Sequence, residues 1–138
     1  MANEISARYE GQLRCKVTRT KTGQAVHTDV TADHGGLDQY FSPIELVVAS
    51  LNACVTSMMA VVAERSKLDL GGLQVSTSFE MVSAPVRRIG SVHLVITVPN
   101  GAAIPDVVRQ KLQAAAGACP VKNSLHPDVQ VSLEFIYQ

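Results

Sequence analysis

Residues 42–65 read SPIELVVASLNACVTSMMAVVAER, and every local signal in them is helical. Ser42 is an N-cap, Pro43 takes the first helical position, and Glu45 closes a capping box. No glycine or further proline interrupts the run beyond Glu45, so the helix continues to about Ser66, roughly 35 Å at 1.5 Å per residue. Residues 46–63 carry no charged side chain over 18 positions, the lower edge of a membrane span. Ser50, Asn52, Thr56 and Ser57 break the apolar run, and no aromatic belt flanks it. The stretch reads as a central helix buried on most sides, in a fold or a dimer, with no membrane partner.

On either side of this helix the hydrophobic period changes from 3.6 to 2. Upstream, Leu13, Cys15 and Val17 alternate with Arg14 and Lys16. Lys21-Thr22-Gly23-Gln24 offers a turn, and residues 26–30 return as the second strand of a hairpin. Downstream, Leu73, Val75, Thr77, Phe79 and Met81 point one way and Gln74, Ser76, Ser78 and Glu80 the other. Val92, Leu94, Ile96 and Val98 repeat the pattern, as do Val129, Val131, Leu133 and Phe135. Such alternation predicts antiparallel strands with one wet face. Between the last two runs Asp106 starts a second helix, with Val108, Leu112, Ala115 and Cys119 on one stripe. Pro120 stops it near Gly117 and begins a short further turn with Cys119 at its N-cap. The order strands, long helix, two strands, helix, strand predicts a single α+β domain over residues 1–138, with helices covering one sheet face.

Composition narrows the function. A chain of 138 residues suits one core, and 12 basic against 12 acidic side chains give a net charge of zero. No broad field recruits nucleic acid or anionic lipid. The opening MANEISARYEG has neither the basic start nor the apolar core of a signal peptide. A reducing, cytoplasmic location is therefore expected, and three cysteines there are reactive or simply buried thiols.

Those thiols differ in setting. Cys54 lies mid-helix, with Ser50, Ser57, Val47 and Val61 near its face. Spacing alone leaves it open between a small core hydrophobe and a reactive group. Cys119 at a helix start gains from unpaired N–H groups and the dipole, which predicts a lowered pKa. Cys15, on the apolar side of a strand, reads as packing. Glu45 is explained by the capping box and faces away from Cys54. Candidate cations are Arg14 and Arg19 in the first hairpin and the Arg87–Arg88 pair between the central strands. His27, His34, His93 and His126 show no zinc spacing, so no metal and no cofactor is expected. Phosphate-loop and GxSxG patterns are absent as well.

FSPIELVVASLNAC, followed downstream by AAAGACPVKNSL and a final strand through HPDVQVSLEFIY, resembles the OsmC/Ohr family of thiol peroxidases. The resemblance covers nearly the whole chain. It implies an intertwined homodimer in which antiparallel sheets wrap two long central helices, with active sites at the subunit interface. It also implies that Cys54 is the peroxidatic and Cys119 the resolving cysteine. Cys54 would attack a peroxide to give a sulfenic acid, and Cys119 would condense with it to a disulfide. An external dithiol or lipoylated protein would reduce that bond. Arg19 lies near the position of the family's hairpin arginine and is taken as the activating cation. The departures are equally specific. The family's NPEQL or NPEEL glutamate falls here on Ile44, and SAPVRRIG is similar to a branch whose substrates are less clear. A redox sensor or binder of small electrophiles, or an inert dimeric scaffold, are the alternatives to a peroxidase.

Overall fold

The computed structural model describes residues 4–138, which fall into two compact units, one ending at Val47 and one spanning Val48–Gln138. The first unit is a three-stranded antiparallel sheet of β1 (Ile5–Gly11), β2 (Arg14–Arg19) and β3 (Ala25–Thr28), in that order. The β2–β3 turn forms where the sequence places it, with Gly23 at φ +76° and Arg19 N–H donating to Gln24 O at 2.8 Å. β1 itself has no sequence signal, because its hairpin turn is made by Gln12 (φ +55°) and Leu13 (φ +63°). A two-residue turn that matches strand twist needs positive φ at both positions, which Asn-Gly announces and Gln-Leu does not. After β3 the chain loops back, and Asp29 N–H donates to Phe41 O at 3.0 Å. Gly36 is required in this loop, since a Cβ there would sit 1.9 Å from Val30 O.

The helix α1 (Pro43–Arg65) starts on the anticipated capping box. Ser42 N–H donates to Glu45 Oε1 at 2.9 Å, and Glu45 N–H donates to Ser42 Oγ at 3.1 Å. It ends without a glycine. Lys67 adopts φ +55°, and Leu68 N–H closes back on Ala63 O at 2.8 Å, the geometry that satisfies a helix's last carbonyls. By length and hydropathy alone α1 could cross a membrane. Its Val48, Leu51, Val55, Met59 and Ala63 stripe is instead buried in the protein.

The second unit carries β4 (Gln74–Val82), β5 (Arg88–Val98) and β6 (Gln130–Tyr137), with β5 in the centre. β4 and β5 pair antiparallel, but β5 and β6 run parallel from Ser91↔Gln130 to Val98↔Tyr137. The all-antiparallel expectation is thus corrected: this sheet is mixed. Parallel neighbours need a crossover of a dozen or more residues, and α2 (Asp106–Gly117) with α3 (Pro120–Asn123) provides it. Side-chain alternation is the same in both senses, so periodicity could not distinguish them.

The core of this unit is the α1 stripe together with Ile89, Val92, Leu94, Ile96 and Val98 of β5 and Leu112 and Ala116 of α2. Each large apolar side chain buried there is worth about 1.5–3 kcal/mol relative to exposure. Arg109 fastens α2: its Nη2 donates to Gly101 O at 2.8 Å while its guanidinium lies 4.2 Å from the Tyr137 ring centre. The architecture is α+β.

Candidate active site

α1 carries Cys54 at its middle, half-buried beside the fully buried Val55. α2 ends at Gly117 because Pro120 cannot continue it, and Cys119 takes an extended conformation (φ −60°, ψ 122°). Cys119 then caps α3, its Sγ accepting from Lys122 N–H at 3.5 Å. This cap turns the thiol inward, where it is 0% exposed. There the Cys54 side chain is near enough to influence its titration. Two thiols 65 positions apart thus meet inside one unit.

The expected drop in the Cys119 pKa is not found. Burial pushes this thiol up, and the nearby Cys54 thiol pushes it further; the N–H groups of Lys122 and Val121 offset only part of the rise. A one-turn helix does supply donors, but a fully buried thiolate forfeits more hydration than they return. Cys119 therefore keeps its proton at neutral pH. Cys15, on β2, is half-buried and free, and it belongs to the other unit.

Arg19, the cation favoured by resemblance, is exposed, and its Nη1 donates to Thr22 Oγ1 at 3.4 Å. Arg14 is held much more firmly. Its Nε lies 3.3 Å from Asp29 Oδ2, its Nη2 bonds both Asp29 and Gln39, and its guanidinium stacks 4.7 Å from the Tyr40 ring centre. Asp29 is buried and accepts from Gln39 N–H at 3.0 Å and Val30 N–H at 2.8 Å. The Gln39 N–H does most to hold its carboxyl below the usual range; burial works against it, and Val30 and Arg14 add to the lowering. Sequence reasoning missed Asp29, whose one signal was an acid inside the apolar alternation of residues 26–30. Arg87 is exposed, and Arg88 donates through Nη1 to Ile89 O at 3.0 Å. Glu45 is occupied by its cap, as read.

The same pattern and architecture recur in known proteins. The OsmC-like protein family matches residues 34–134, which include α1, both site cysteines and most of β6. The chain belongs to this family. No curated protein matches it. Among solved structures, a Psychrobacter arcticus protein described as an osmotic stress induced and detoxification response protein superposes with a TM-score of 0.89. It is 27% identical, over 98% of this chain and 96% of that one. An organic hydroperoxide resistance protein OsmC from Legionella pneumophila gives a TM-score of 0.75 at 20% identity, covering 99% and 97% of the two chains. The organic hydroperoxide resistance protein OhrB of Bacillus subtilis gives 0.67 at 20% identity over 98% of each. At these identities the last two establish the OsmC-like fold alone.

Proposed function

We propose that the protein is a thiol-dependent peroxidase that reduces organic hydroperoxides, and hydrogen peroxide as a smaller substrate. The observation that carries this reading is the buried Cys119 thiol close enough to the half-exposed Cys54 for the two to interact. Cys54 is the thiol a solute can reach. Its thiolate attacks a peroxide oxygen; the S–O bond forms, the O–O bond breaks, and the leaving alkoxide takes a proton to become the alcohol. Cys119 then attacks the sulfenic sulfur. The S–S bond forms, the S–O bond breaks, and the Cys119 proton leaves with the hydroxyl as water. An external dithiol or a lipoylated protein restores both thiols, as a reducing cytoplasm would allow. The organic hydroperoxide resistance proteins among the structural neighbours support the substrate class.

The working unit in this reading is a homodimer. The exposed Ile5, Tyr9 and Val26 share the apolar face of the first sheet and suit cover by a second copy. The candidate cations of this reading lie in the N-terminal hairpin. Arg19 has the family resemblance, and Arg14 has the fixed guanidinium.

The test is stopped-flow reduction of cumene hydroperoxide with dithiothreitol as reductant. Cys54→Ser should abolish turnover, and Cys119→Ser should stop at the sulfenic acid. Because the Cys119 pKa is raised, its thiolate is scarce at neutral pH. The disulfide-forming step should therefore accelerate about tenfold per pH unit until that pKa is reached. Alkylation of Cys54 at neutral pH, repeated in Arg14→Ala, Arg19→Ala, Arg87→Ala and Arg88→Ala, identifies the cation as the variant whose alkylation slows about tenfold or more. A disulfide through Cys15, or none at all after one equivalent of peroxide, would remove Cys119 from the mechanism. One observation favours the electrophile-binding alternative: Glu45 spends its carboxylate on the cap and Ile44 precedes it, so the helix start has no spare acid to hold an arginine. Stoichiometric labelling of Cys54 without turnover would decide for that reading.

A further inference from the structure

The wet face of the second sheet carries a hydrogen-bonded chain that the thiol chemistry does not use. His93 Nδ1 lies 2.6 Å from Ser132 Oγ, and His93 Nε2 lies 3.1 Å from Glu134 Oε2. No sequence pattern announces this set, because His93 stands 39 positions before Ser132. It forms because β5 and β6 run parallel with His93 opposite Ser132. Val92 and Leu94 are buried, so His93 between them points away from the core. Ser132 and Glu134, two residues apart on one strand, share that face, and all three side chains are exposed. His93 stands on the central strand of the sheet, which fixes a side chain more precisely than a loop does.

Each contact has a direction. A carboxylate only accepts, so in the neutral ring the proton sits on Nε2, and Nδ1 accepts from the Ser132 hydroxyl. These are the roles of a nucleophile, a general base and an acid that orients the base. Val95 lies opposite Glu134, and Ile136 follows on the same face at 41% exposure. An apolar ring therefore has a surface to rest on beside the hydroxyl. We propose that Ser132 is a nucleophile toward activated acyl donors, aryl esters and thioesters, with His93 as its general base and Glu134 positioning His93. In acylation His93 Nδ1 takes the hydroxyl proton and Ser132 Oγ bonds the acyl carbon. The bond from that carbon to the aryl oxygen or sulfur breaks, and the leaving group takes the proton from His93. Water then gives its proton to His93 and bonds the acyl carbon; the bond to Ser132 breaks, the serine regains a proton, and the acid departs. The donors must be activated because an open face gives a poor leaving group no help.

The test uses two probes on the native protein, with labelled residues located by peptide mass mapping. A fluorophosphonate bonds Ser132 Oγ as fluoride leaves, and p-nitrophenyl acetate transfers its acetyl group. Both should mark Ser132 about a hundredfold faster than in the heat-unfolded chain, the lower end of general-base assistance. Release of p-nitrophenol should begin with a stoichiometric burst that Ser132→Ala loses. His93→Gln can hydrogen-bond at both ends but cannot take a proton, and labelling should fall by about a hundredfold. Added imidazole should restore part of it in His93→Ala, which a merely structural histidine would not permit. Glu134→Gln should slow labelling by up to about fivefold, the scale of an exposed charge pair. That difference should vanish as salt is raised to about 0.5 M. Acetyl groups on cysteines or lysines but not on Ser132 overturn the proposal. So does equal labelling of Ser132 in the native protein and His93→Gln, which would make the chain a surface ladder of hydrogen bonds.

Discussion

The two units are stabilised by different physics. From Val48 onward the protein buries Leu51, Val55, Met59, Leu94, Ile96 and Leu112, an apolar core of ordinary kind. Before Val48, the buried residues among those described are Thr28 and Asp29, while Ile5 is 73% and Tyr9 64% exposed. The first sheet is held by strand hydrogen bonds and by the Arg14–Asp29–Gln39 cluster. A small sheet with an open apolar face is marginal alone. The contrast teaches that the second unit should respond to lost methylenes and the first to lost charge.

Removing core volume should have the largest effect. Leu51→Ala leaves a cavity in a site that is fully enclosed and should cost about 2–5 kcal/mol, read from chemical denaturation. A change under about 1 kcal/mol would mean that the α1 stripe is not the core.

Acid should separate the units next. The Asp29 carboxyl is depressed below its ordinary value of 3.8. A depressed carboxylate contributes its full stability above the unfolded pKa and loses it as pH falls through the lower folded pKa. Amide exchange should therefore quicken in β1–β3 below about pH 4 while β5 stays protected. Asp29→Asn should show the fast exchange already at neutral pH. Equal protection of both sheets throughout the acid range would erase the contrast between them.

A smaller effect sits where α1 begins. Ser42→Ala or Glu45→Ala removes half of the capping box and should cost about 0.5–2 kcal/mol in thermal melts. Turnover in the folded protein should stay close to native, because both side chains are spent on backbone N–H groups. Abolished activity would assign Glu45 a chemical role. The smallest change expected is a gain. Lys67 holds a left-handed conformation at φ +55°, so Lys67→Gly should stabilise by up to about 1 kcal/mol. A loss there would show that the lysine side chain has a contact of its own.

The second unit was largely legible in the sequence because its signals are local and redundant. The long apolar helical run, the proline stop before α3 and three alternating runs each pointed to one element. The direction of β6 stayed hidden, since pleat alternation carries no information about strand sense. The first unit was harder to read. Gln12 and Leu13 make a turn that neither residue advertises, so β1 went unnoticed. Asp29 became important only when the loop brought Gln39 N–H and Arg14 to it from distant positions. At the candidate site the mid-helix setting of Cys54 and the helix-start setting of Cys119 were readable, and titration was not. The helix-start argument for Cys119 was sound about its donors, but burial is a property of the tertiary structure and outweighed them.

Cys119 has no contact with solvent, and this sets the order of events on exposure to mixed oxidants. A thiol sealed inside the protein accumulates no glutathione adducts and no stepwise oxygenation of its own. In the proposed peroxidase cycle, oxidation reaches Cys119 through Cys54 and passes inward by exchange. In that cycle the inner sulfur is a reserve drawn only after the outer one has been spent. A cell that found Cys119 modified while Cys54 was intact would be looking at protein that had already unfolded.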